Sequence, residues 1–264
     1  VSDAARLIAF SLMVAAFLTF AEPSLARPNS RAARGASVAV AQHPACPPME
    51  VLLLGDSNIY GALGKEIQHA LPEVGFHVVR RGKPTSGLAR PDFFDWFDTA
   101  RELIGRYRPD VVIIMLGGND GQRLERVNNQ PDERIMWREE GAWRDEYFHR
   151  VRELMELLRG DRRRVFFLSP TNRRPRLARE KMMRVREVQR LAASSVDGIE
   201  WIDMFPLSSD ANGNWLKGTT DVRGARVRYR RSDGIHLTPE GAEIVAERVV
   251  RDLVQRGLAA CGPM

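Results

Sequence analysis

Three features of the chain predict a three-layer α/β/α domain built on a five-stranded parallel, flavodoxin-like sheet. Five apolar runs rich in β-branched or aromatic residues alternate with five segments of helical spacing, the pattern of an open parallel sheet covered on both faces. No internal repeat and no second block of strands signals another domain. A length of 264 residues, with ordinary apolar and charged fractions, suffices for one large core.

The chain starts ahead of that domain. Arg6 precedes the charge-free run Leu7 to Ala21, followed by Glu22, Pro23 and the small-residue site Ser24-Leu25-Ala26, which is the layout of an export signal. The run falls short of the roughly 18 to 20 apolar residues that span a membrane. Cleavage is therefore expected before Arg27, with an uncleaved anchor as the alternative. Residues 1–26 are assigned to the signal and 27–48 to a flexible tether of Ala, Arg and Pro without helical or strand period; 49–264 form the domain. The expected location is periplasmic or secreted, with membrane attachment only through an uncleaved signal.

Within the domain, the first strand is expected at Val51 to Leu54 and stops at Gly55-Asp56-Ser57; a helix follows over Ile59 to Leu71. Next come a strand at Phe76 to Val79 with a helix over Phe93 to Arg106, and a strand at Val111 to Leu116 with a helix over Trp143 to Leu158. The strand at Val165 to Leu168 leads to a helix over Ala178 to Ala193, and the strand at Ile199 to Ile202 to a last helix over Pro239 to Arg256. Two long irregular segments remain, Gly121 to Gly141 and Pro206 to Ser232. They follow the third and fifth strands, so both rise from the carboxyl ends, where open α/β sheets bind ligands.

Cys46 precedes the first strand and Cys261 ends the last helix. Each helix of such a layout runs back across the sheet, so both cysteines belong at the amino-end pole, and in an exported protein a Cys46–Cys261 disulfide is expected. No CxxC or Cys/His cluster suggests a metal. The net charge of +6 becomes about +7 without the signal, which carries one arginine against two acids. That balance fits an anionic envelope polymer, a membrane surface or simply a solvated basic surface. It does not read as nucleic-acid binding, because the arginines are spread over several helices without interleaved exposed aromatics.

Glycines after a strand invite a nucleotide reading, but Gly55, Gly61 and Gly64 do not fit G-x-G-x-x-G. Gly64-Lys65 also lacks the remaining residues of a P-loop. Ser57, at the carboxyl end of the first strand, is either a helix cap or a nucleophile facing the crevice. In "RRSDGIHLTPEGA", Asp233 stands three residues before His236, a spacing that lets the carboxylate hold one ring nitrogen while the other points outward, as a general base for a serine requires. "MLGGND" offers close backbone turns at Gly117 and Gly118 and an amide donor at Asn119; "KPTSGLARPD" offers Gly87.

These segments, in this order, resemble the blocks of the SGNH or GDSL-like hydrolase superfamily: Gly55-Asp56-Ser57, a lone glycine, Gly117-Gly118-Asn119-Asp120, then Asp233 to His236. The resemblance covers roughly Met49 to Arg256. It implies that Ser57 attacks, His236 is the base and Asp233 orients it. The oxyanion hole would comprise the Ser57 and Gly87 N–H groups and the Asn119 amide, with Gly82 as the alternative to Gly87. Asp56 and Asp120 are read as structural, holding their turns. No metal or organic cofactor is needed.

The expected activity is hydrolysis of short acyl esters, acetyl above all, on a small molecule or an envelope or secreted glycan. Trp96, Trp137, Trp143 and Trp215 are read as core or as a sugar platform; Arg173 and Arg174 in "TNRRPR" as solvated or as contacts to an anionic substrate group. An acyltransferase using the same triad, or a non-catalytic envelope-binding protein on the same fold, stands as the alternative.

Overall fold

The computed structural model describes residues 48–126, 134–161, 163–174, 176–220 and 224–258. The signal, the tether as far as residue 47, and both Cys46 and Cys261 lie outside the described residues.

Strands β1 (Met49–Gly55), β2 (Phe76–Gly82), β3 (Val111–Met115), β4 (Arg164–Leu168) and β5 (Ile199–Ile202) form one parallel sheet in the order β2-β1-β3-β4-β5. Between and after them run α1 (Ser57–Tyr60), α2 (Ala62–Ala70), α3 (Trp96–Tyr107), α4 (Glu140–Arg159), α5 (Arg176–Ser194) and α6 (Pro239–Gln255). The continuous apolar runs follow from burial on both faces. Because successive side chains alternate across a strand, Leu52, Leu54, Val112, Ile114 and Phe167 pack under α3, α4 and α5. Their neighbours Val51, Leu53, Val111, Ile113 and Phe166 pack under α1, α2 and α6.

The structure departs from the sequence expectation in two places that matter for the site. The helix expected over Ile59 to Leu71 is two helices broken at Gly61, whose φ of −82° and ψ of −149° leave the helical region. Gly64 permits the close packing of the two helices across this break, since a Cβ there would stand 1.8 Å from the Ile59 carbonyl oxygen. The first helix also begins earlier, so Ser57 is its first residue and Asp56 its cap. Within the segment Pro206 to Ser232, a small antiparallel hairpin forms from β6 (Gly218–Thr220) and β7 (Arg226–Arg228). Strands of three residues, Gly-Thr-Thr and Arg-Val-Arg, are too short for a period-two pattern to be read.

Gly55 closes β1 against β3 and α1. A Cβ there would meet the Met115 carbonyl oxygen at 2.4 Å and Ile59 Cγ1 at 2.5 Å. Gly55→Ala is therefore expected to cost at least about 1–3 kcal/mol, the usual range for overpacking, read as a lower denaturant midpoint. An unchanged midpoint would contradict this packing.

Candidate active site

The site starts from a buried carboxylate. Asp56, 1% exposed, caps α1: its Oδ1 accepts the Asn58 N–H at 2.9 Å and the Asn58 side-chain amide at 3.0 Å. Its Oδ2 accepts the Gly118 N–H at 3.1 Å, which ties the turn after β1 to the turn after β3. Ser57 thus becomes the first residue of a helix, where the backbone N–H has no intrahelical acceptor. Its hydroxyl lies 2.8 Å from His236 Nε2.

His236 Nδ1 lies 2.8 Å from Asp233 Oδ2. That pairing assigns the ring proton to Nδ1 and leaves Nε2 to accept from the serine hydroxyl. Asp233 Oδ1 accepts the N–H groups of Ile235 and His236 at 2.8 and 2.9 Å, so the carboxylate folds its own loop. Gly234 allows the loop to close with φ +69°, and a Cβ there would come to 3.0 Å from Arg174 Cβ. Burial works against charge on Asp233, but the hydrogen bonds from the His236 ring and the two backbone N–H groups outweigh it and bring its pKa from 3.8 down to about 2.

Arg230, which the sequence reading passed over, braces this loop from behind. Its Nη1 donates to the Ile235 carbonyl at 2.6 Å and its Nη2 to the Asn172 carbonyl at 3.2 Å. Burial lowers its pKa to about 10, so it remains a cation at neutral pH.

On the other side of Ser57, the Asn119 amide donates to the Ser86 carbonyl at 2.9 Å, which joins the turn after β3 to the turn that carries Gly87. Neither the Ser57 nor the Gly87 N–H makes a hydrogen bond within the described residues. Gly87 lies against Asp120, where a Cβ would stand 2.0 Å from Oδ1. Gly82 instead belongs to β2, paired with Gly55, and its missing side chain makes room for the Tyr60 backbone.

Asp120 is wholly buried and accepts from the Ala89 N–H at 2.9 Å and the Tyr147 hydroxyl at 2.7 Å. Gln189 links the Tyr147 hydroxyl, at 2.9 Å, to the Leu116 carbonyl, at 3.1 Å. Burial pushes the pKa of both Asp120 and Tyr147 up.

The proposed substrate contacts require correction. Trp96 is 1% exposed and its ring N–H donates to the Ser86 hydroxyl at 3.0 Å, so it supports the Gly87 turn from the core and has no face for a sugar. Trp143 is buried against Tyr147, and half-buried Trp137 lies edge-on to Trp143 under the Arg184 guanidinium, 4.1 Å from its ring. Arg173 is 9% exposed and packs behind Gly118 and Asp56; burial lowers its pKa, opposed by Asp56, Asp120 and Asp233. Arg174 is exposed, its guanidinium 5.6 Å from the Trp215 ring. Neither arginine nor any of these tryptophans lines the cleft that opens on Ser57 and His236. Among the described residues, no group of three His, Cys, Asp or Glu side chains is placed to hold a metal ion.

Fold and sequence blocks together define the class: the chain has the three-layer fold of the SGNH, or GDSL-like, hydrolases, and its blocks resemble theirs. More narrowly, the chain belongs to the DUF459 family, described as protein of unknown function, whose profile matches residues 50–252. No curated protein matches the sequence. Among solved structures it is similar to LAE5, an alpha/beta hydrolase enzyme from the metagenome of Lake Arreo, Spain, at TM-score 0.55 and 16% identity over 77% of this chain and 94% of that one. A GDSL-like lipase from Bacteroides thetaiotaomicron VPI-5482 superposes at TM-score 0.51 and 18% identity over 80% and 89% of the two chains. At such identities the likeness is one of fold.

The lowered pKa of Asp233 gives a signed expectation. Its contribution to stability is present above the unfolded value near 3.8 and is lost as pH falls through about 2. The difference in Tm between wild type and Asp233→Asn should be constant above about pH 5, roughly one unit clear of that window, and shrink steadily below it. A difference that does not change with pH would contradict the assignment.

Proposed function

We propose that the protein is an exported serine esterase that hydrolyses short acyl esters, acetyl among them, on an envelope or secreted polysaccharide. The observation that carries the reading is the unbroken chain from Ser57 through His236 to Asp233, each link 2.8 Å long. It stands beside the Ser57 and Gly87 N–H groups, neither of which makes a hydrogen bond within the described residues. Export is supported by the signal-like residues 1–26, and a polysaccharide substrate by the location this implies.

In this mechanism His236 Nε2 takes the Ser57 proton as Oγ adds to the ester carbonyl carbon. The C=O electron pair moves onto oxygen, where the Ser57 and Gly87 N–H groups and the Asn119 amide stabilise it. Asp233 stays ionised and stabilises the imidazolium through the Nδ1 hydrogen bond. The intermediate collapses with cleavage of the bond to the alcohol oxygen, which receives the proton from His236. Water then enters by the same route: His236 takes its proton as the water oxygen adds to the acyl carbon, and returns that proton to Ser57 Oγ as the acyl–Ser57 bond breaks and the carboxylic acid leaves.

Hydrolysis of p-nitrophenyl acetate and of an O-acetylated oligosaccharide by the purified chain tests the reading. Ser57→Ala and His236→Ala should each lower kcat by at least about a thousandfold, and Asn119→Ala by about a hundred- to a thousandfold. Each variant should keep the wild-type circular dichroism spectrum. Turnover retained in Ser57→Ala would overturn the assignment.

A further inference from the structure

Two adjoining clefts run from the reactive serine along α2 and the edge strand β2. The first, of about 580 Å³, opens on Ser57 and His236 and is flanked by Lys65, Arg80 and Arg231. The second, of about 700 Å³, shares Lys65 and Arg80 with it and continues past Gln68, His69 and His77. The nine-residue α2 along which they lie is roughly 14 Å long at 1.5 Å per residue. The groove therefore outreaches a single acyl group and the alcohol oxygen attached to it.

Its charge is one-sided. Glu66 is the one carboxylate among the lining residues of the first cleft, and no carboxylate lines the second. Lys65 and Arg231 are exposed, and neither side chain makes a hydrogen bond or ion pair with another described residue. Arg80 is held in place instead: Nε donates to Gln68 Oε1 at 2.8 Å, and Nη1 donates to the carbonyls of Ile59 and Tyr60 at 2.8 and 3.0 Å. The carbonyls it binds close the short helix that begins with Ser57, so this cation is fixed relative to the nucleophile.

The groove also sits on a definite side of the chemistry. It includes His236, which returns its proton to the departing alcohol, and excludes Gly87 and Asn119, which face the carbonyl oxygen. It is thus placed for the alcohol part of the ester, and that part is where a polymer would continue.

We infer that the natural substrate is an acylated anionic glycan, with sugar units bearing carboxylate or phosphate laid along α2 and read by Lys65, Arg80 and Arg231. The inference rests on the esterase reading for the position of the scissile bond. The recognition itself is a binding property and can be measured without turnover.

Fluorescence anisotropy with the full chain carrying Ser57→Ala, using labelled oligogalacturonate, phosphorylated malto-oligosaccharide and neutral malto-oligosaccharide of matched length, isolates it. At least one anionic probe should bind about tenfold or more tightly than the neutral one, with an affinity that falls as salt is raised. Whichever binds more tightly distinguishes carboxylate from phosphate recognition. Adding Lys65→Gln and Arg231→Gln should weaken anionic binding about five- to tenfold. Adding Arg101→Gln and Arg152→Gln, which remove the same charge from exposed helical ion pairs elsewhere, should leave it unchanged.

Equal binding of charged and neutral probes would overturn the inference, as would anionic binding that survives Lys65→Gln/Arg231→Gln or falls equally in the distant pair. Failure of the esterase reading would look different. Wild type would then turn over no ester, p-nitrophenyl acetate included, whatever the anisotropy shows.

Discussion

The geometry of the site depends on the two-sided use of one buried carboxylate. Asp56 spends one oxygen on starting α1 and the other on the Gly118 N–H, so the serine and the turn that carries Asn119 are set by the same group. A backbone–backbone bond from the Asp56 N–H to the Met115 carbonyl, at 3.1 Å, adds a second tie between the same two strand ends. Removing such a buried acceptor leaves N–H donors unsatisfied, at about 1–3 kcal/mol each. The cost would fall where a small displacement matters most, because reacting groups must be held close to contact geometry.

A second carboxylate repeats the arrangement one layer down. Asp120 receives the backbone of the Gly87 turn and the hydroxyl of Tyr147, while Gln189 carries the network on to β3. The Gly87 turn is thereby attached to the core instead of to a free loop. Arg173 and Arg230 place buried positive charge behind these acids and behind the histidine loop. Arg230 is stabilised there by its hydrogen bonds to the Ile235 and Asn172 carbonyls, and Arg173 by the attraction of Asp56, Asp120 and Asp233. Here they lie around the hydrogen-bonded chain Ser57–His236–Asp233.

Much of this was legible in the sequence because it is written in local patterns. The five apolar runs gave the sheet, and the Asp233–His236 spacing gave a contact that a single turn can close. Ser57 and Asn119 were legible only through the resemblance of their blocks to a known superfamily, since either alone is an ordinary cap or turn residue. What escaped was non-local. Arg230 lies among basic residues that read as surface, and only the tertiary fold buries it against the Ile235 carbonyl. Tyr147 carried a faint signal, a hydroxyl within the apolar stripe of Trp143, Val151, Leu154 and Leu158, but nothing in that stripe names Asp120 as its partner. Trp96 was ambiguous for the opposite reason: tryptophan suits both cores and sugar platforms, and its burial under the Gly87 turn decides for the core. The break at Gly61 goes with the close packing of α1 and α2 at Gly64, which helical periodicity does not report.

The central claim is that Ser57 is activated by His236 and is open to a substrate. Labelling of the folded chain with a fluorophosphonate, read by intact mass, tests it most directly, because the reagent phosphonylates a serine that is both nucleophilic and accessible. The account predicts one adduct on the wild type and none on Ser57→Ala or His236→Ala. A folded wild type that takes no adduct, or an adduct that persists without Ser57, would contradict it.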